Sequence, residues 1–481
     1  MGRILGFTLF VLGVISAVVL ALIATVAVPV SLNGTASRIT VKPVEAGQAT
    51  KLRSLPAQPQ RRWEVDADSL FGKTRSIKYM MVRAADEDMA VVAGVPEDQG
   101  PAPIMAVDTE GGAPLWKEPS LVPVQWCAIS RDKKLACLRN GQTATSSSQV
   151  AFLDPATGKE LRTITIDAPG TAKMSRAGDG FVVWTSEYDE ISKSSQATIA
   201  WMSSDGSKQW TRKPRVEEDD VTLSEAGNVL AVRDNQDSVS MYQLDTGAVL
   251  YDSAGDQKVF KEEADKRSRI GEVNVYVSAI PHAGGFAVSF RSIYSSVVKF
   301  YDNNGIHLQD VKDIQLPSYA DGTEGTAVVF QREDRGSNYT SGVISATTFS
   351  VVWEASSDFT YSTDIEMVAG TFVVESDYDD DQKKWQIYRL SDGTKLGSLT
   401  TSIYQKIVGS DGERIVYEGD RTSEEPGPGA LTGYDSATGR EVWRVKSTES
   451  ADNVNVRFVG PNLYWYNART TKRHASVIQY G

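Results

Sequence analysis

The chain has 481 residues with 50 basic and 62 acidic side chains, a formal net charge of −12, two cysteines and three histidines. A 41% hydrophobic and 23% charged composition excludes a disordered, collagen-like or disulfide-dense chain. The acidic balance argues against nucleic acid as the main partner, because phosphate binding needs a basic surface, and a single apolar run excludes a polytopic membrane protein.

That run, Ile4–Val30, is 27 residues without a charge. It exceeds the ~20 apolar residues a helix needs to cross a bilayer and the ~7–15 of a secretory signal. Thr25-Val26-Ala27 is a poor cleavage site, and no cysteine follows to accept a lipid. Residues 1–30 are therefore predicted to be a signal-anchor transmembrane helix. Arg3 before it and Arg38 and Lys42 after it nearly balance, so flanking charge does not set the orientation. Residues 31–62 read as a basic flexible stem, rich in Ala, Gly, Pro, Ser, Thr and Gln. Their six basic residues against Glu45 give +5 and leave −18 on Trp63–Gly481. The stem composition suits a solvated spacer, with contact to anionic headgroups as the alternative.

From Trp63 to Gly481 the pattern changes to short runs rich in Val, Ile, Tyr, Phe and Thr between Gly/Asp/Asn turns, with no helical period long enough for a substantial helix. One unit recurs: a strand, a polar turn ending in Gly, and a second strand often bearing Trp. It runs through Asp108, Gly112 and Trp116, then Asp154 and Gly158, and near the end through Asp435, Gly439 and Trp443. Weaker copies centre on Gly206 (before Trp210), Gly247, Gly305 and Gly393, and one lacking the turn glycine runs from Gly342 through Thr347-Thr348 to Trp353. The marker glycines are spaced 46, 48, 41, 58, 88 and 46 apart, the 88 spanning the degenerate copy. A period in the forties with only strand signals predicts an all-β fold, a β-propeller of four-stranded blades. Eight hairpin copies, plus tail strands that Trp63-Glu64-Val65 completes, give nine when counted literally. Because propellers usually have four to eight blades, eight is the preferred number within a range of seven to nine, with an irregular unit in the 41- or 58-residue interval. The recurring Trp side chains are read as packing between blades rather than stacking on a ligand.

Cys127 and Cys137 flank a tight hairpin, equidistant from Asp132. Two readings stand: a cross-strand disulfide, implying an oxidising, extracytoplasmic compartment, or two buried thiols.

The Ala-x-Asp-x-x-Thr-Gly-x-x-x-Trp pattern, most faithful at Ala106–Trp116, Phe152–Leu161 and Tyr434–Trp443, resembles the repeat of the pyrroloquinoline-quinone-like (quinoprotein alcohol dehydrogenase-like) propellers. That family includes quinoprotein dehydrogenases and non-catalytic scaffolds such as the lipoprotein subunit of outer-membrane protein assembly. The dehydrogenases hold their quinone beneath a disulfide between adjacent cysteines and add a calcium. Here the cysteines lie ten apart and no calcium ligand set can be matched, so no cofactor, metal or catalytic residue is assigned. Asp377–Asp381 fails the EF-hand pattern, with Gln382 where Gly and Tyr388 where Glu are needed. Glu217–Asp220 reads as a solvated acidic loop, and His282, His307 and His474 have no zinc spacing.

The sequence thus predicts a membrane-tethered, extracytoplasmic propeller that acts as a non-catalytic protein-interaction scaffold in the cell envelope. Its partners would be envelope or membrane proteins and, through the N-terminal helix, the lipid bilayer, with no nucleic acid. The polar loops Asp377–Lys384 and Asp420–Gly429 are the candidate contacts. The alternative is an enzyme or small-ligand binder at the channel mouth.

Overall fold

The computed structural model describes Ser37–Arg38 and Leu52–Gly481, apart from residues 56, 74–75, 99–101, 121–124, 140–146, 168–171, 190–193, 217–220, 235–237, 269–270, 317–318, 321–326, 334–338, 357–364, 369–370, 380–381, 404, 420–430, 446–453 and 468–473. The predicted signal anchor at residues 1–30 lies outside them. Among the described residues no helix is long and apolar enough to cross a membrane.

The described strands form nine sheets, and these are the blades of a β-propeller. Blade two shows the pattern. Trp126–Ile129 is its innermost strand, followed outward by Leu135–Arg139, Ser148–Leu153 and Glu160–Ile166. The inner three are almost wholly buried and the outermost is largely exposed, which accounts for the continuous apolar runs and the alternating fourth strand. Nine sheets fall at the top of the expected range, one above the preferred eight. The irregular unit is an insertion. A 14-residue helix, Ala254–Arg267, joins blade four to blade five inside the 58-residue interval. Only Ala264 on it is buried, so it carries no apolar stripe and no helical period marked it in the sequence. Asp256 fastens it, at 3.0 Å from Lys299 Nζ and 2.9 Å from the Tyr251 hydroxyl.

Ring closure joins the start of the repeat region to its last strand. Arg61–Asp66 is the outer strand of blade nine and pairs with Ser476–Tyr480, bringing Trp63 opposite Gln479, Glu64 opposite Ile478 and Val65 opposite Val477. This removes an open edge. In blade nine, however, no hairpin joins third and fourth strands, because the fourth strand is Arg61–Asp66. Leu52–Gln60 takes its place. Gln60 and Gly481 exchange backbone bonds of 3.2 and 3.0 Å, while Leu52 N–H donates to Ser410 O and Arg53 N–H to Pro461 O, both at 2.9 Å. Leu52 and Leu55 are buried with Val416, Trp443 and Leu463. The distal part of the segment read as stem is therefore packed on the propeller. Ser37–Arg38, further back, adds to the outermost strand of blade six, Val351–Ser356, antiparallel to it.

Cys127 and Cys137 face each other across the two inner strands of blade two and are joined by a disulfide. Both sulfurs are buried in the core shared by blades one and two. The bond closes a loop of ten residues, for which the chain-entropy relation gives about 2–3 kcal/mol. Reduction is expected to lower the denaturant midpoint by up to that equivalent, and Cys127→Ala/Cys137→Ala to be insensitive to reductant. Equal midpoints with and without reductant would show that the bond contributes nothing.

Candidate interaction faces

Strand direction gives the propeller two unlike faces. One carries the turns between first and second strands and between third and fourth strands, short in every blade but the sixth, where Gln315 pairs with Gln331. The other carries the connections between second and third strands and between blades, where most of the longer segments lie.

The most faithful hairpins between third and fourth strands are built by the same chemistry. An Asp accepts from backbone groups two to three residues on, and a glycine at positive φ closes the turn. Asp154 Oδ1 accepts from Ala156 N–H at 2.9 Å, its Oδ2 from the Thr157 hydroxyl at 2.8 Å, and Gly158 N–H donates to Asp154 O at 2.8 Å. The Thr157 hydroxyl and Ala156 N–H hold the Asp154 carboxyl below its ordinary range. Asp435 repeats the arrangement with Thr438, and Asp108 with Gly111 and Gly112. In the degenerate copy Phe349 occupies the glycine position at φ 54°.

The tryptophans lie one blade earlier. Trp63 sits under Gly112, Trp116 under Gly158, Trp210 under Gly247 and Trp353 under Gly393, where a Cβ would fall 2.5–2.9 Å from the indole. Their Nε1–H groups donate to Thr109, Pro155, Leu244 and Leu390 O at 2.8–3.1 Å, in each case one residue into the next turn. Trp443 makes the equivalent bond to Leu55 O at 3.0 Å, so Leu55 stands where a ninth turn would. Gly206 instead meets Ile164 and Phe152, Gly305 the Leu250 backbone and Gly439 the Ser398 backbone. The repeat residues are thus consumed in joining blades.

Other carboxylates on this face also bridge blades. Lys133 of blade two reaches Asp86 and Asp88 of blade one at 3.0 and 3.1 Å, and the Ser204 hydroxyl of blade three donates to Asp132 Oδ2 at 2.8 Å. Asp411 holds the closing segment, accepting from Leu55 N–H at 2.8 Å and from Glu413 and Arg414 N–H. Burial opposes its ionisation, but these donors and the Arg414 guanidinium outweigh that and hold the carboxyl below its ordinary range.

The histidines are not brought together in a ligand set. His307 Nε2 lies 2.7 Å from Asp310 and His474 Nδ1 3.5 Å from Asp68. His282 is buried against Phe300, its Nδ1 accepting from Gly284 N–H at 3.2 Å. Burial pushes it down to about 4 from the ordinary 6.5. The unfolded chain therefore binds the extra proton first. Stability from this site is full above pH 6.5 and falls by about 2–3 kcal/mol as the pH drops towards 4. His282→Asn keeps an acceptor for Gly284 and is expected to flatten the stability profile across that window. An unchanged acid slope would assign the loss elsewhere.

On the loop face, the first candidate contact is a tight β-hairpin. Thr371–Asp379 and Gln382–Arg389 pair up to Asp379 opposite Gln382. The second, Asp420–Gly429, lies outside the described residues, as does Glu217–Asp220. The strand ends that flank the second contact, Glu418 and Leu431 of blade eight, lie on the loop face with the hairpin of blade seven. Among the described residues, no three His, Cys, Asp or Glu side chains group to hold a metal ion. The residues do not fit the quinone site of the dehydrogenases, because the disulfide staples two strands of one blade instead of linking adjacent cysteines.

The family model for a conjugation-associated nine-bladed β-propeller domain matches residues 36–463. No curated protein matches the sequence. Among solved structures the chain is similar to BamB from Moraxella catarrhalis, at 12% identity and a TM-score of 0.40 over 88% of this chain and 99% of that one. It is also similar to the computationally designed Ika8 protein, at 12% identity and 0.41 over 90% and 100%, and to quinohemoprotein alcohol dehydrogenase from Comamonas testosteroni, at 11% and 0.36 over 88% and 76%.

Proposed function

The chain belongs to the conjugation-associated nine-bladed β-propeller family, and from that premise we propose that it is a membrane-tethered, extracytoplasmic scaffold serving conjugative transfer. It binds other envelope or membrane proteins through the loop face and performs no chemistry of its own. The observation that carries this reading is the family match, which covers residues 36–463 and so blades one to eight in full. Two features support it. The repeat side chains on the turn face are spent on joining blades, which leaves the loop face for partners. The buried disulfide suits an oxidising compartment.

A strain carrying the tether without residues 63–481 is expected to lose conjugative transfer, restored by the full chain. Protease added to intact, wall-stripped cells is expected to digest the propeller, and thiol trapping in those cells to find Cys127 and Cys137 oxidised. Unimpaired transfer would overturn the conjugative role. A protected propeller with free thiols would place the domain on the other side of the membrane.

A further inference from the structure

We propose that the loop face at blade five docks on the bilayer surface, inserting Ile293 and Tyr294 among anionic headgroups. This rests on the tether reading above and adds an orientation to it.

The argument begins with the direction of Ser37–Arg38. Val351–Ser356 is the outermost strand of blade six and runs from the turn face to the loop face, and Ser37 pairs antiparallel with Glu354, Arg38 with Trp353. The chain therefore enters this pair from the loop-face side. Only six residues separate Ser37 from Val30, the end of the apolar run. Fully extended, that connection reaches at most about 25 Å. A span ending at Val30 thus holds the loop-face edge of blade six close to the bilayer.

Blade five is the neighbour, and its loop-face tip is the one that suits such a position. Gly285–Arg291 and Ser296–Asp302 are joined by a short loop that presents Ile293 at 70% and Tyr294 at 38% exposure. Tyr276, at the same end of the innermost strand, is 53% exposed. A branched aliphatic beside tyrosines on a loop tip is poorly matched to water and well matched to the headgroup boundary, where amphipathic rings gather. The loop is held in shape, since Ser292 N–H donates to Ser295 O at 2.9 Å and the Tyr294 hydroxyl meets the Ser268 hydroxyl at 3.5 Å. Arg291 and Lys312 are exposed beside the tip, and Lys266 and Arg267 end the inserted helix next to Ser268. Asp265, Glu272 and Asp313 stand at this end as well, with Glu262 and Glu263 one turn back on the helix, so the basic side chains are interleaved with acids. So weak a site holds only because the tether supplies a high local concentration of bilayer.

The test uses the full chain in nanodiscs. With its cysteines paired, a thiol probe can be placed by Ile293→Cys, and a control probe on the turn face by Ala437→Cys, an exposed position. With phosphatidylserine present, the 293 probe is expected to shift to the blue and to be quenched by lipids spin-labelled near the headgroup. The 437 probe is expected to remain aqueous. In phosphatidylcholine alone or in high salt the signal at 293 is expected to fall, and Tyr294→Asp to abolish it. An aqueous probe at 293 in a chain that stays in the disc overturns the docking and leaves the tether intact. Equal quenching at 293 and 437 overturns the orientation. A chain that leaves the disc overturns the tether and the docking together.

Discussion

Gly439→Ala is expected to cost about 4 kcal/mol or more, while Gly227→Ala costs about 1–2 kcal/mol. Both glycines sit at positive φ, 70° and 56°, so the backbone penalty for an L side chain is similar. They differ in what a Cβ meets. At Gly439 it falls 1.7 Å from Ser398 O, on the outer strand of the preceding blade, and backbone cannot swing aside as a side chain can. At Gly227 the nearest atom is 3.7 Å away. Denaturant midpoints of the two variants separate conformational strain from blade contact. Similar losses would mean that the glycines serve turn geometry alone.

Leu55→Asp is expected to lose about 4 kcal/mol or more, because it places a carboxylate in a buried site beside Asp411 and removes the leucine from its contacts. Leu55→Ala and Trp443→Ala should each cost about 2–5 kcal/mol and together less than the sum, since the two residues share one contact and one hydrogen bond. Leu55→Ala combined with Trp353→Ala, whose Nε1–H is satisfied in a different turn, should be additive. Additivity in both pairs would mean that the segment before Arg61 adds nothing to ring closure.

Most of the fold was legible because a repeat prints its own period. The Asp, Gly and Trp positions recur since each is needed where a turn of one blade meets the outer strand of another, and they mark eight hairpins. The ninth blade was harder to see. Its third-to-fourth turn is divided between Leu52–Gln60 and Gly481, so the marker motif is absent there, although the pairing of Trp63–Val65 with the C-terminal strand follows from the need to bury an edge. Leu52 and Leu55 read as stem in the sequence because two leucines among Pro, Ser and Gln have no period, and only contact with Trp443 gives them a function. The helix Ala254–Arg267 left a trace in length, as the 58-residue interval, but none in hydrophobic pattern. The interaction site was the least legible part. Loop tips such as Ile293-Tyr294 obey no repeat, and their meaning depends on which face they share.

Purification of the tagged full chain from membranes of conjugating cells is the most direct measurement. The scaffold account predicts a stoichiometric protein partner whose recovery falls when the 377–384 hairpin and the 420–429 connection are shortened. Recovery should be unaffected by Ala156→Glu on the opposite face. Recovery of the propeller alone, or a partner lost on altering Ala156 and retained on altering the loops, would contradict it.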